Sequence, residues 1–123
     1  MGWDAYAKFD DRPDKEQILS RFRENTDFLK KNGCTVDAYL SYGGLGVSTC
    51  GKMLEEAVNS NISEYGYLSV YGREWSPEEV KKISQLASWD FEVEDKDEEW
   101  AKHSAKAFLE VCAEFDLEIY FSW

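Results

Sequence analysis

The stretch WAKHSAKAFLEVCAEFDLEIYFSW, residues 100–123, decides the fold. Ala101, Ala105, Phe108, Cys112 and Phe115 recur at helical spacing and form one apolar stripe. Leu117, Ile119, Phe121 and Trp123 then alternate with Glu118, Tyr120 and Ser122, which is the period of a strand. The spacing predicts a buried helix running directly into a half-buried strand, and the other elements have to pack on that pair. It is a folding signal and carries no chemistry of its own.

Immediately upstream lies an acidic connection. Asp90, Glu92, Glu94, Asp95, Asp97, Glu98 and Glu99 face a single Lys96. Trp89, Phe91 and Val93 alternate with the first of these acids, as a short edge strand would. Asp97, Glu98 and Glu99 fall at the start of the last helix, where carboxylates complement its positive end. Before that, Trp75-Ser76-Pro77-Glu78-Glu79-Val80 is the clearest local signal. Ser76 is placed as N-cap, Pro77 at the first helical position, and Glu79 to close a capping box; Trp75 and Val80 are spaced as a hydrophobic staple.

Upstream of these elements the signals are looser. Trp3, Ala5, Ala7 and Phe9 alternate as a strand. Asp14, with Gln17 three residues on, opens a helix carrying Ile18, Leu19, Phe22, Phe28 and Leu29, which Asn32-Gly33 stops. Residues 36–42 favour a second strand, Gly43-Gly44-Leu45-Gly46 a flexible turn, and residues 48–58 a short helix with Met53, Leu54 and Ala57 inward. Residues 65–71, with Leu68 and Val70 between tyrosines, predict a third strand. The expected whole is a single α+β domain over residues 1–123, a mostly antiparallel sheet with helices packed on one face.

Composition bounds the function. The 123 residues are 43% hydrophobic, enough for a core, and the net charge is −11. Residues 1–62 carry ten acids and eight bases; residues 63–123 carry fifteen acids and six bases. A surface of that sign repels nucleic acid and anionic lipid and attracts basic proteins. No apolar run approaches the ~20 residues of a membrane span, and the first residues lack a signal peptide's basic and apolar regions. Cys34, Cys50 and Cys112 are odd in number and unpaired in spacing, and His103 is the single histidine. Neither a zinc site nor a disulfide framework follows from that; reduced thiols in the cytoplasm do.

Five features compete for a chemical role. Gly46-x-x-x-x-Gly51-Lys52 matches a phosphate-binding loop, but Met53 stands where a magnesium-holding hydroxyl belongs. Asp95-x-Asp97 begins like a calcium loop and lacks its glycine and terminal glutamate. His103 has no partner nucleophile in the pattern, and Cys50 near a helix start would be the most reactive thiol if exposed. The tyrosines exceed what a small core needs, and Tyr67 and Tyr71 on an open sheet face would make a contact patch. No metal, cofactor or catalytic residue is expected.

The Met1-Gly2-Trp3-Asp4-Ala5-Tyr6 opening, the Trp75-Ser76-Pro77-Glu78-Glu79 segment and the Phe115-x-Leu117-x-Ile119-x-Phe121-Ser122-Trp123 ending resemble small acidic proteins of bacteriophages and prophages. The group resembles inhibitors of host defence, anti-CRISPR proteins among them, some of which imitate DNA with carboxylates. The resemblance implies a non-enzymatic, cytoplasmic protein that occupies a basic, nucleic-acid-binding surface of a host protein. The resemblance carries over no residues; the charge and aromatic reading assigns docking to Asp90, Glu92, Glu94, Asp95, Asp97, Glu98, Glu99, Tyr67 and Tyr71. The alternatives are a nucleotide-binding protein using Gly46, Gly51 and Lys52, and a phage assembly protein that forms a homodimer through its aromatic sheet.

Overall fold

The computed structural model describes residues 4–9, 11–31, 38–41, 44–47, 53, 54, 56, 57 and 74–122. In chain order these form β1 (Asp4–Lys8), α1 (Lys15–Lys31), β2 (Ala38–Ser41), β3 (Gly44–Val47), helical residues 53, 54, 56 and 57, β4 (Glu74–Trp75), α2 (Pro77–Leu86), α3 (Lys96–Glu114) and β5 (Ile119–Ser122). The sheet runs β2-β3-β1-β5-β4, and every pairing is antiparallel. The protein is an α+β fold with its helices on one face of that sheet.

Alternation decides which face they cover. Ala5 and Ala7 of β1, Ile119 of β5 and Trp75 of β4 are fully buried, while Tyr6 and Tyr120 are half-buried and Lys8 and Glu74 exposed. Phe9 and Phe22 stack at 6.2 Å, and Phe22 meets Phe108 of α3 at 5.7 Å, so an aromatic column joins the end of β1, α1 and α3. Met53, Leu54 and Ala57 are buried as their spacing predicts.

The predicted stripe on α3 is present and wider. Ala105, Phe108 and Cys112 are buried, Ala101 and Phe115 half-buried, and Leu109 and Val111 extend the contact. The passage into β5 is a tight C-terminal cap. Asp116 takes φ 56, and the Leu117 N–H donates to the Cys112 carbonyl at 3.0 Å, which closes a Schellman motif. Lys81 reaches the Asp116 carboxylate at 2.6 Å and Arg12 its carbonyl at 3.3 Å, so a non-glycine residue is held in the left-handed region from both sides. On α2, the Ser76 hydroxyl accepts from the Glu79 N–H and the Glu79 carboxylate accepts from the Ser76 N–H, both at 3.2 Å; Trp75 and Val80 lie in the same core cluster.

Two expectations are corrected. Gly44, Leu45 and Gly46 lie in β3, a strand paired to β2 on one side and β1 on the other, where a flexible turn was expected. Ladder bonds on both edges override the weak strand preference of glycine. Residues 89–93 form no strand: Trp89, Phe91 and Val93 alternate inward but pack on the helical core, and the backbone does not join the sheet. Asp14 precedes α1 as expected, and its carboxylate accepts two bonds from the Arg12 guanidinium, at 3.0 and 2.9 Å. The predicted strand at residues 65–71 lies outside the described residues. Among the described residues, no helix is long and apolar enough to cross a membrane.

Candidate functional site

The acidic run is laid down as a fixed strip. The Ser88 N–H donates to the Ala57 carbonyl at 3.0 Å where the strip begins. Trp89, Phe91 and Val93 then turn in against the core, and Asp90, Glu92 and Glu94 are exposed between them. Trp89 and Phe91 rings lie 6.3 Å apart. Lys102 on α3 donates to the Phe91 carbonyl at 3.0 Å, and its ammonium lies 4.8 Å from the centre of the Phe91 ring. One cation therefore clamps the strip through both backbone and side chain. Asp90, Glu92 and Glu94 alternate with these inward residues, and all three are exposed.

The later acids divide between scaffold and surface. Asp95 is the N-cap of α3, its carboxylate accepting from the Glu98 N–H at 2.9 Å. The Glu98 carboxylate turns back to accept from the Glu94 N–H at 2.9 Å. Asp97 and Glu99 are exposed in the first turn, and Glu99 lies 3.8 Å from His103 one turn on. The sequence places Asp97, Glu98 and Glu99 at the helix start, without marking Asp95 as the cap, and assigns all seven acids to docking. The geometry gives Asp95 and Glu98 a structural task; Asp90, Glu92, Glu94, Asp97 and Glu99 are exposed, as Asp95 also is, and have no such task.

The face of the sheet opposite its buried side chains carries a second feature. Tyr39, Gly46, Tyr6, Tyr120 and Glu74 stand in register as one row across all five strands. Tyr6 and Tyr120 stack with centroids 5.7 Å apart and planes 16° from parallel, and the Lys8 ammonium lies 4.7 Å from the Tyr120 ring centre. The Tyr120 hydroxyl donates to the exposed Glu118 carboxylate. That bond, with partial burial and the negative charges of Glu118 and Glu74, pushes the Tyr120 phenol up to about 12. Sequence reasoning looked for this aromatic patch at Tyr67 and Tyr71, which lie outside the described residues. The available signal was that Tyr6 and Tyr120 occupy polar positions of two alternating strands.

The other candidates do not assemble a reaction centre among the described residues. Gly46 sits within β3, between β2 and β1, so it does not open a strand-to-helix loop; Gly51, Lys52 and Cys50 lie outside the described residues. His103 is exposed, and Cys112 is a buried free thiol. No group of three histidine, cysteine or carboxylate side chains could hold a metal among the described residues. An open groove of about 510 Å³ lies between α1 and the C-terminal end of α3. Arg21 there pairs with Glu114 at 3.2 Å and Glu24 at 3.7 Å. Comparison with protein-family models, curated proteins and solved structures found no match.

Proposed function

We propose that this chain is a non-enzymatic binding protein that presents its acidic edge to a basic surface of another protein. The observation that carries the proposal is the clamped strip. Its inward aromatics and the Lys102 contacts anchor the backbone, and Asp90, Glu92 and Glu94 are exposed between them, so less loop order has to be gained on binding. Net charge of −11 steers the encounter, and a regularly spaced row of carboxylates suits a surface built to receive phosphates. The resemblance of the chain's ends to phage and prophage proteins supports a finer reading. In it the protein is a phage-encoded, anti-defence inhibitor, anti-CRISPR-like in action, acting in the host cytoplasm on a nucleic-acid-binding protein.

The test is capture from a bacterial host lysate with the tagged protein and with D90N/E92Q/E94Q. The expected capture is a nucleic-acid-binding protein that the wild type retains at low salt, releases as the Debye length falls below about 10 Å, and that the triple variant does not retain. Capture that is insensitive to salt, or equal for the two proteins, overturns the charge-matching mechanism.

A further inference from the structure

We propose that residues 89–94 are a strap, a segment that opens and closes independently of the rest of the fold, with Lys102 of α3 as its latch. What sets the segment apart is where its backbone finds partners. Among the described residues, no backbone group of residues 89–94 bonds to another backbone group. The Ser88 N–H, just before it, donates to the Ala57 carbonyl at 3.0 Å. Within the segment the polar holds come from two side chains of α3. Lys102 donates to the Phe91 carbonyl at 3.0 Å, and the Glu98 carboxylate accepts from the Glu94 N–H at 2.9 Å. Glu98 and Lys102 stand one helical turn apart, so they reach the segment from neighbouring positions on one face of α3. The apolar hold is partial: Trp89, Phe91 and Val93 pack against the core, and each is half-buried.

A segment so held lies at the low end of local stability. Opening it breaks two side-chain bonds and exposes three half-buried residues, while the sheet ladders and the helices stay whole. Lys102 is the stronger of the two holds. Its bond is part-buried, and the same ammonium lies 4.8 Å from the Phe91 ring centre, whereas the Glu98–Glu94 bond is exposed to water. For the acidic edge the latch is a form of regulation, and that clause rests on the docking function proposed above. The closed strap presents Asp90, Glu92 and Glu94 in one arrangement, so the apparent affinity for a basic surface scales with the closed fraction. Removing the Lys102 charge makes the chain more negative and yet lowers that fraction.

The test compares the full chain as wild type, Lys102→Arg and Lys102→Met by backbone amide NMR relaxation and by limited chymotrypsin digestion. Arginine keeps the charge and a donor; methionine keeps the helix preference and an aliphatic stem and loses both. In the wild type and Lys102→Arg, amides of residues 90–93 should show the order parameter of rigid backbone, about 0.85. In Lys102→Met they should fall below about 0.6 while those of β1 and β5 stay unchanged. Chymotrypsin should cut after Trp89 or Phe91 about tenfold faster in Lys102→Met. A Lys102→Met protein as ordered and as slowly cut as the wild type, a Lys102→Arg protein as loose as Lys102→Met, or loosening of β1 and β5 together with the strap overturns the proposal. In the lysate capture described above, Lys102→Met should retain several-fold less than the wild type despite its extra negative charge; equal or greater retention overturns the regulatory role. A wild type that retains nothing overturns the docking function instead, and the order parameters decide the strap without a partner.

Discussion

Replacing Asp95 separates the acids that build the fold from those that face solvent. The Asp95 carboxylate holds the Glu98 N–H at 2.9 Å at the head of a 19-residue helix. Removing it in Asp95→Ala leaves that donor to water and takes a negative charge from the positive end of α3. The cap contributes about 1 kcal/mol and the charge about 0.3–1 kcal/mol, so the expected loss is about 1–2 kcal/mol. For a chain of this length that is a fall in Tm of about 4–8 °C. Asp95→Asn keeps the acceptor and forfeits only the charge, so it should fall between the two. The triple change D90N/E92Q/E94Q alters three exposed side chains and should move stability by no more than about 0.5 kcal/mol. Thermal unfolding followed by circular dichroism reads all three proteins. A triple variant that melts well below Asp95→Ala would mean that the strip is held by its carboxylates and that the division of roles drawn above is wrong.

Two further outcomes are expected. Phe108→Ala opens a void where the side chain is 1% exposed and meets Phe22, and should cost about 3–5 kcal/mol in urea unfolding, whereas Phe108→Leu keeps most of the volume and costs clearly less; equal losses would contradict close packing there. Because the folded value of Tyr120 lies above its ordinary 10, the stabilisation it shares with Glu118 is complete below about 10 and is lost as pH rises towards about 12. Glu118→Gln should bring tyrosinate absorbance of this residue back towards the ordinary range, and an unchanged titration would refute the assigned cause.

What was legible in the sequence was local. Ser76, Pro77 and Glu79 specify a helix start within four residues, and the structure closes that box with both bonds. The stripe on α3 is a period that packing widens without moving. Glycines 44 and 46 misled because their strand is made by partners far along the chain, which no local preference reports. Trp89, Phe91 and Val93 told correctly which side chains turn inward, yet the same alternation serves a sheet edge or a strip lying on helices, and only tertiary contacts choose between them. The candidate site divides in the same way. The carboxylate run was plain, its split into caps and displayed groups only partly so. The Tyr6–Tyr120 pair, joined across the β1–β5 ladder, was hidden until those two strands met.

The position of β5 between β1 and β4 has a kinetic consequence. Asp4 pairs with Ser122, so the middle of the sheet is closed by segments roughly 120 positions apart, while β2 and β3 are sequence neighbours that can zip up at once. The capture of β5 by β1 is therefore the expected rate-limiting event in folding. Mutations in α3, which delivers β5 through its cap at Asp116, should slow refolding more than mutations in β2, and a mixing experiment that resolves the refolding arm of the chevron would read the difference.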